Sequence, residues 1–157
     1  GTSGTLAALK DSQALAFMAD RGARAKYVTS VCSGSLILGA AGLLKGYKAT
    51  SHWACRQVLA DFGAIPTKGR VVRDRNRITG GGVTAGLDFG LTLVAELRDR
   101  TSAECSQLMS EYDPHPPFDA GSPETAPAAV TSAMEELFAD FVKEAKAAAA
   151  ASKSQNS

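Results

Sequence analysis

A single cysteine lies where a predicted strand turns sharply into a predicted helix. The β-branched and aromatic run Tyr27–Val31 is typical of a buried strand, and the apolar run 36–44 favours a helix. Between them, Cys32 is followed at once by Ser-Gly-Ser. The free N–H groups and the positive dipole of a helix N-terminus favour a thiolate, so Cys32 is a candidate nucleophile. The alternative is a buried structural cysteine, which is the commoner fate of a free thiol.

Length and composition limit the classes of protein to consider. The chain has 157 residues, of which 45% are hydrophobic and 21% are charged, as expected for one domain with a sizeable core. A net charge of +1 gives no support for nucleic acid or an anionic membrane as a partner. No apolar run approaches the roughly 18 residues of a membrane-spanning helix, and no signal-peptide pattern begins the chain. We therefore expect a cytoplasmic protein.

Neither the cysteines nor the histidines suggest a metal site. The three cysteines are widely spaced and form no Cys-x-x-Cys pair, so we expect no disulfide framework and no zinc site. His52 and His115 are far apart in sequence and isolated from carboxylates. We expect no metal.

Strands and helices alternate along the first hundred residues, which favours an α/β domain with a mainly parallel sheet. The first four residues, Gly-Thr-Ser-Gly, have the composition of a turn. The later predicted elements are a helix of about ten residues after Trp53, a hairpin with strands 70–73 and 77–79, a triple glycine at 80–82, and a helix over 85–97.

The C-terminal third has a different composition. Five prolines between Tyr112 and Pro127 forbid regular structure, so we predict an extended arm whose Tyr112 and Phe118 side chains are buried. Residues 128–146 have the periodicity of an amphipathic helix. We expect residues 147–157 to form a disordered tail.

Five motifs together resemble the DJ-1/PfpI superfamily (class I glutamine amidotransferase-like), and within it the isonitrile hydratases most. They are Tyr27-Val-Thr-Ser-Val-Cys-Ser-Gly-Ser-Leu, Ala49-Thr-Ser-His-Trp-Ala, Arg70-Val-Val-Arg-Asp, Thr79-Gly-Gly-Gly-Val-Thr-Ala-Gly-Leu-Asp-Phe and Pro116-Pro-Phe-Asp-Ala-Gly-Ser-Pro-Glu-Thr-Ala-Pro. The resemblance covers residues 1–127, including the arm. It implies a flavodoxin-like sandwich, a homodimer and a cysteine nucleophile at Cys32.

The resemblance also implies a reaction. Isonitrile hydratases are lyases that hydrate a small isocyanide to an N-substituted formamide through a cysteine nucleophile, without a cofactor. The Ser33 N–H, with the turn at Gly1 and Thr2, would supply backbone donors for developing negative charge. The pocket would include Val83, Thr84, Ala85 and His52. For His52 the alternative is a structural histidine bonded to the backbone.

One expected feature has no counterpart in this sequence. In the superfamily an acidic partner of the cysteine comes from an N-terminal segment, near the end of the first strand. We therefore expect the chain to be N-terminally incomplete, with its early strands missing, and we expect Asp88 to be an early-helix residue or structural anchor. Two alternatives remain open: a DJ-1-like redox or stress-response protein with an oxidisable Cys32, and an inactive truncated homologue.

Overall fold

The computed structural model describes the backbone of residues 1–154 and the side chains of residues 1–152. The strands are β1 (Val28–Val31), β2 (Lys48–Ala49), β3 (Ile65–Pro66), β4 (Val71–Asp74) and β5 (Arg77–Gly80). The α-helices are α1 (Thr2–Lys10), α2 (Ser12–Arg24), α3 (Gly34–Ala40), α4 (Ala85–Leu97), α5 (Arg100–Met109) and α6 (Ala128–Ser154). A 3₁₀ helix spans Arg56–Phe62.

Two small sheets hold the strands. In the larger one the order is β1-β5-β4, with β1 parallel to β5 and β4 antiparallel to β5. The second sheet is the parallel pair of β2 and β3. The α/β class with a mainly parallel sheet is confirmed, and the predicted hairpin is the β4–β5 pair.

Helices cover both faces of the larger sheet. A Cβ added at Gly34 of α3 would lie 3.8 Å from the Ser30 Cβ, and one added at Gly86 of α4 would lie 3.7 Å from the Val31 Cγ1. Ser30 and Val31 are consecutive in β1, so their side chains point to opposite faces. α3 and α4 therefore pack on opposite sides of the same strand, as in the predicted sandwich.

The main hydrophobic core lies on the α3 side. It joins the sheet to α1, α3, the 3₁₀ helix and the second half of α6. Its fully buried members include Leu36, Leu44, Val58, Leu59, Ala145 and Ala149. On the other face, Leu87 and Leu97 of α4 are 53% and 52% exposed, so α4 keeps part of its apolar surface in solvent.

The N-terminal turn that we predicted is wrong, because these residues begin a helix. The Thr5 N–H donates to the Gly1 carbonyl at 3.0 Å, and α1 runs from Thr2 to Lys10. Thr5 and Leu9, four positions apart, are both buried on one helix face. The composition alone indicated a turn, because glycine and threonine have a low helix propensity. Packing of the buried helix face offsets that low propensity.

The C-terminal prediction needs two corrections. α6 continues through residues 147–154, where we predicted a disordered tail, since alanine is a strong helix former and Ala149 is fully buried; residues 155–157 lie outside the described residues. The arm contains no helix or strand, as predicted, but Phe118 is 78% exposed rather than buried. None of the helices within residues 1–154 combines the length and apolar character that crossing a membrane would require.

Candidate active site

The backbone at Cys32 forms a tight elbow between β1 and α3. Its φ is +58°, in the left-handed region that L-residues adopt at a cost of roughly 1–2 kcal/mol. Its N–H donates to the carbonyls of Gly80, at 3.1 Å, and Gly81, at 2.7 Å. Because β1 and β5 run parallel, these residues follow the carboxyl ends of neighbouring strands. Ligand sites of α/β sheets form at such strand ends.

The carbonyl of Cys32 is held from the buried side. The Ser51 hydroxyl donates to it at 2.9 Å and the Ser35 hydroxyl at 3.2 Å. Both serines are almost fully buried, at 1% and 0% exposure. The strained Cys32 residue is thus fixed by hydrogen bonds at both its own N–H and its own carbonyl.

The three cysteines have different surroundings. Cys32 is half-buried, Cys105 is exposed on α5, and Cys55 is buried beside Ser51, with its Sγ 3.3 Å from the serine hydroxyl. Burial raises the pKa of the Cys55 thiol, so that thiol stays protonated at neutral pH. Of the three, Cys32 alone combines partial access to solvent with the elbow conformation.

An open cleft of about 550 Å³ lies next to the elbow. The predicted pocket residues His52, Val83, Thr84 and Ala85 all line it. The Cys32 side chain is not among its lining residues, but two hydrogen-bond partners of the Cys32 backbone are, namely Ser51 and Gly81. The rest of the wall comes from Trp53, Arg56, Lys68, Gly69, Arg70, Gly82 and the arm residues 121–124.

The two predicted N-terminal donors are not brought into the cleft. Gly1 and Thr2 are exposed and do not line it. The link between α1 and the elbow is instead a buried contact between the hydroxyls of Thr5 and Ser33, 2.8 Å apart. Ser33 is 5% exposed and lies at the N-cap of α3, directly after Cys32.

His52 is a half-buried neutral side chain in the cleft wall. Burial lowers the pKa of its imidazole below the usual 6.5. The Ala54 N–H donates to His52 Nδ1 at 3.3 Å, which leaves the ring proton on Nε2. The ring lies 5.1 Å from Phe138 of α6 and 5.6 Å from Trp53, centroid to centroid. The backbone contact fits the structural alternative, while the cleft position fits the pocket prediction.

The arm is anchored to the cleft at two points. At the first, Arg70 is paired with Asp88 in the first turn of α4, and the Tyr112 hydroxyl donates to Asp88 at 3.2 Å. At the second, Lys68 and Glu124 form an ion pair at 3.0 Å, and the Lys68 hydrogen bond lowers the pKa of Glu124 to about 2. Asp88 is therefore a structural anchor, as expected.

The sequence reasoning missed Ser51 and the Lys68–Glu124 pair. Ser51 had a usable signal, since it lies directly before His52 and four residues before Cys55. Lys68 and Glu124 are 56 positions apart, and no sequence motif marks them as partners. Sequence alone offers no route to such a contact.

Cys32 has neither a hydrogen-bonded carboxylate nor a metal-binding cluster beside it in the part of the chain that the structure describes. No carboxylate there is hydrogen bonded to Cys32. Within the same residues, no cluster of three or more histidine, cysteine or carboxylate side chains could hold a metal ion.

Comparison with known proteins places this geometry in a family. The sequence profile of the DJ-1/PfpI family matches residues 1–96. The chain is 53% identical over 143 residues to an isonitrile hydratase from Pseudomonas putida, covering 91% of this chain and 63% of that protein. It thus spans less than two thirds of that relative's length.

Solved structures agree with the assignment. A ThiJ/PfpI family protein from Pseudomonas syringae superposes with a TM-score of 0.92 at 78% identity, over 95% of this chain and 62% of that one. Drosophila melanogaster DJ-1beta shares the fold, with a TM-score of 0.63 at 20% identity over 73% of this chain and 61% of its own. The chain belongs to the DJ-1/PfpI family.

Proposed function

We propose that this chain carries isonitrile hydratase-like activity, the hydration of an isocyanide to an N-substituted formamide, with Cys32 as the nucleophile. The observation that carries the proposal is the strained elbow at Cys32 beside an open cleft, in a chain 53% identical to an isonitrile hydratase. A cysteine held in this way at the carboxyl end of a parallel strand is typical of a nucleophile rather than of a packing residue.

The proposed reaction has two stages. In the first, the Cys32 thiolate attacks the terminal carbon of R–N≡C, and that carbon takes up a proton to give a thioformimidate, R–N=CH–S–Cys. In the second, water adds to the same carbon, the C–S bond breaks, and the formamide leaves while the thiolate is restored. The sum is one isocyanide plus one water giving one formamide.

The chain's own residues supply the surroundings for these steps. The Ser33 N–H follows the nucleophile and would donate to the negative oxygen of the tetrahedral intermediate. Val83, Ala85 and Trp53 give the cleft apolar surface, which suits an alkyl or aryl substituent. His52, neutral at pH 7, would serve as a polar wall rather than as a cation.

The proton added to the isocyanide carbon in the first stage must come from an acid. The resemblance implies a carboxylic acid in this role, and no carboxylate within residues 1–154 is hydrogen bonded to Cys32.

A homodimer and a cytoplasmic location remain predictions. The exposed Leu108 and Met109 at the end of α5, at 83% and 87% exposure, support a partner, because a second copy could cover apolar surface of this kind. Sedimentation equilibrium of the purified chain measures this directly, and a single monomeric species would contradict the dimer.

The proposal is tested by measuring formamide production from cyclohexyl isocyanide. The chain is compared with Cys32→Ala and with the matched control Cys55→Ala, which removes a buried thiol from the same region. Formamide release that is lost only in Cys32→Ala supports the proposal, and equal rates in all three proteins contradict it.

The same experiment addresses the redox alternative. If no formamide forms, the rates of iodoacetamide alkylation at Cys32, Cys55 and Cys105 are compared by peptide mass mapping. A Cys32 that reacts far faster than the exposed Cys105, without turnover, favours an oxidisable thiol. A Cys32 that reacts no faster favours an inactive homologue.

A further inference from the structure

In the peptide unit between Cys32 and Ser33, the carbonyl has hydrogen-bond partners among the described residues and the N–H has none. Its carbonyl accepts hydrogen bonds from Ser51 and Ser35. Its N–H, which belongs to Ser33, has no acceptor among the residues that the structure describes, although Ser33 is only 5% exposed. Ser33 is the N-cap of α3, and the first N–H groups of a helix have no partner within the helix, so this N–H is available to a group outside it.

Peptide planarity connects the two ends. The C=O and N–H of a trans peptide lie in one plane and point in nearly opposite directions. The Ser51 and Ser35 hydroxyls hold the carbonyl on one side of the peptide, so the N–H must point to the opposite side. This N–H belongs to the residue directly after the proposed nucleophile, beside the place where negative charge would develop.

We propose that Ser51 is a positioning residue, which aims the Ser33 N–H at the reacting centre by fixing the Cys32 carbonyl. Ser35 is its weaker counterpart, at 3.2 Å instead of 2.9 Å. The inference rests on the proposed function in one respect, the role of Cys32 as nucleophile. In this role Ser51 acts through the Cys32 carbonyl and does not itself contact the substrate.

The surroundings of Ser51 restrict its hydroxyl to this role. Its proton goes to the Cys32 carbonyl, while the Cys55 thiol, 3.3 Å from the Ser51 oxygen, donates to the His52 carbonyl at 3.6 Å. Cys55 is 1% exposed, and its raised pKa keeps the S–H donor in place.

The test compares two reactions at Cys32 that differ in one respect. Acylation by p-nitrophenyl acetate passes through a tetrahedral oxyanion, which an aimed N–H stabilises, whereas alkylation by iodoacetamide forms no oxyanion. Both rates are measured on the full chain and assigned to Cys32 by peptide mass mapping. Neither reaction depends on isocyanide turnover, so failure of the hydratase proposal would leave this test valid.

We expect Ser51→Ala to slow acylation by about threefold to tenfold, the equivalent of one net hydrogen bond, with alkylation changed less than about twofold. Ser35→Ala should have a smaller effect and the double variant a larger one. Cys55→Ala is the matched control: it leaves the Ser51 hydroxyl on the carbonyl, so both rates should stay near those of the parent chain.

Two results would overturn the assignment. Equal losses in acylation and alkylation would show that Ser51 only maintains the elbow as a whole. No loss in either would show that Ser51 does not act on the reacting centre. If formamide is produced, a further readout is available: Ser51→Ala should lower kcat and leave KM unchanged, because the N–H acts on the intermediate.

Discussion

The hydroxyls of Thr5 and Ser33 lie 2.8 Å apart, and both residues are buried. Through this contact the first turn of α1 reaches the residue that directly follows Cys32. Neither hydroxyl is exposed enough to exchange its partner for water freely. The N-terminal helix is therefore part of the support of the elbow.

Replacing Thr5 by valine keeps the shape of the side chain and removes this hydrogen bond. We expect the free energy of unfolding to fall by about 1–3 kcal/mol, because the buried Ser33 hydroxyl loses its partner. Urea denaturation followed by circular dichroism measures the change. The control is Thr2→Val on the exposed part of the same helix, and an equal loss in both variants would refute the explanation.

Replacing two helical glycines by alanine should change the stability of the chain in opposite directions. A Cβ at Gly39 of α3 would lie 3.0 Å from the Phe62 Cβ, whereas a Cβ at Gly90 of α4 would meet nothing within 4 Å. Gly39→Ala should destabilise the chain by about 1–3 kcal/mol through overpacking, and Gly90→Ala should stabilise it by about 0.5–1 kcal/mol. Thermal and urea unfolding of both variants check the prediction, which fails if the two changes have the same sign.

His52 should make stability depend on pH below neutrality. Burial lowers its pKa in the folded chain, so the unfolded chain binds the proton first as the pH falls below 6.5. Stability contributed by the neutral imidazole is therefore complete above 6.5 and declines as the pH falls from there towards the folded-state pKa. Urea unfolding at pH 7.5, 6.5 and 5.5 should show this decline.

The decline should be smaller in His52→Gln and retained in the control His115→Gln, which alters an exposed histidine of the arm. The same decline in the parent chain and in His52→Gln would assign the pH dependence to other groups. In the NMR spectrum of the folded chain, the His52 ring signals should titrate below pH 6.5.

The ion pair between Lys68 and Glu124 should hold the arm over a wide pH range. Because the pKa of Glu124 is lowered to about 2, the stabilisation is complete above the usual value of 4.5 and is lost as the pH falls towards 2. At pH 7, Glu124→Gln should raise the rate of proteolytic cleavage within residues 112–127, by no more than about fivefold since the pair is exposed. Glu136→Gln, an exposed change on α6, is the control, and equal cleavage rates in both variants would contradict the anchor.

Local patterns were sufficient to predict the elements around Cys32. The strand before Cys32, the hairpin and the helix over 85–97 follow from periodicity and from glycine positions, which depend on nearby residues. α1 could not be predicted in this way, because its first turn is stabilised by burial of Thr5 and Leu9 against distant elements. The contact of Ser51 with Cys32 also depends on packing, since β1 and the loop after β2 meet only in the folded chain.

The exposure of Phe118 has a similar explanation. An aromatic residue in a proline-rich segment has the composition of a buried anchor, but the arm is fixed by Tyr112 and Glu124 through polar contacts instead. The partners that join those two side chains to the rest of the protein, Asp88 and Lys68, lie more than twenty positions away. Composition identified the arm, and tertiary contacts decided which of its residues would be covered.

The most direct test of the role of Cys32 is to trap its covalent intermediate. The chain is incubated with excess cyclohexyl isocyanide, sampled by rapid denaturation during turnover, and analysed at once by mass spectrometry of the whole chain and of its peptides. We expect an adduct of one isocyanide on the peptide that contains Cys32, and none on Cys55 or Cys105. Formamide production without such an adduct, or undiminished production by Cys32→Ala, would contradict it.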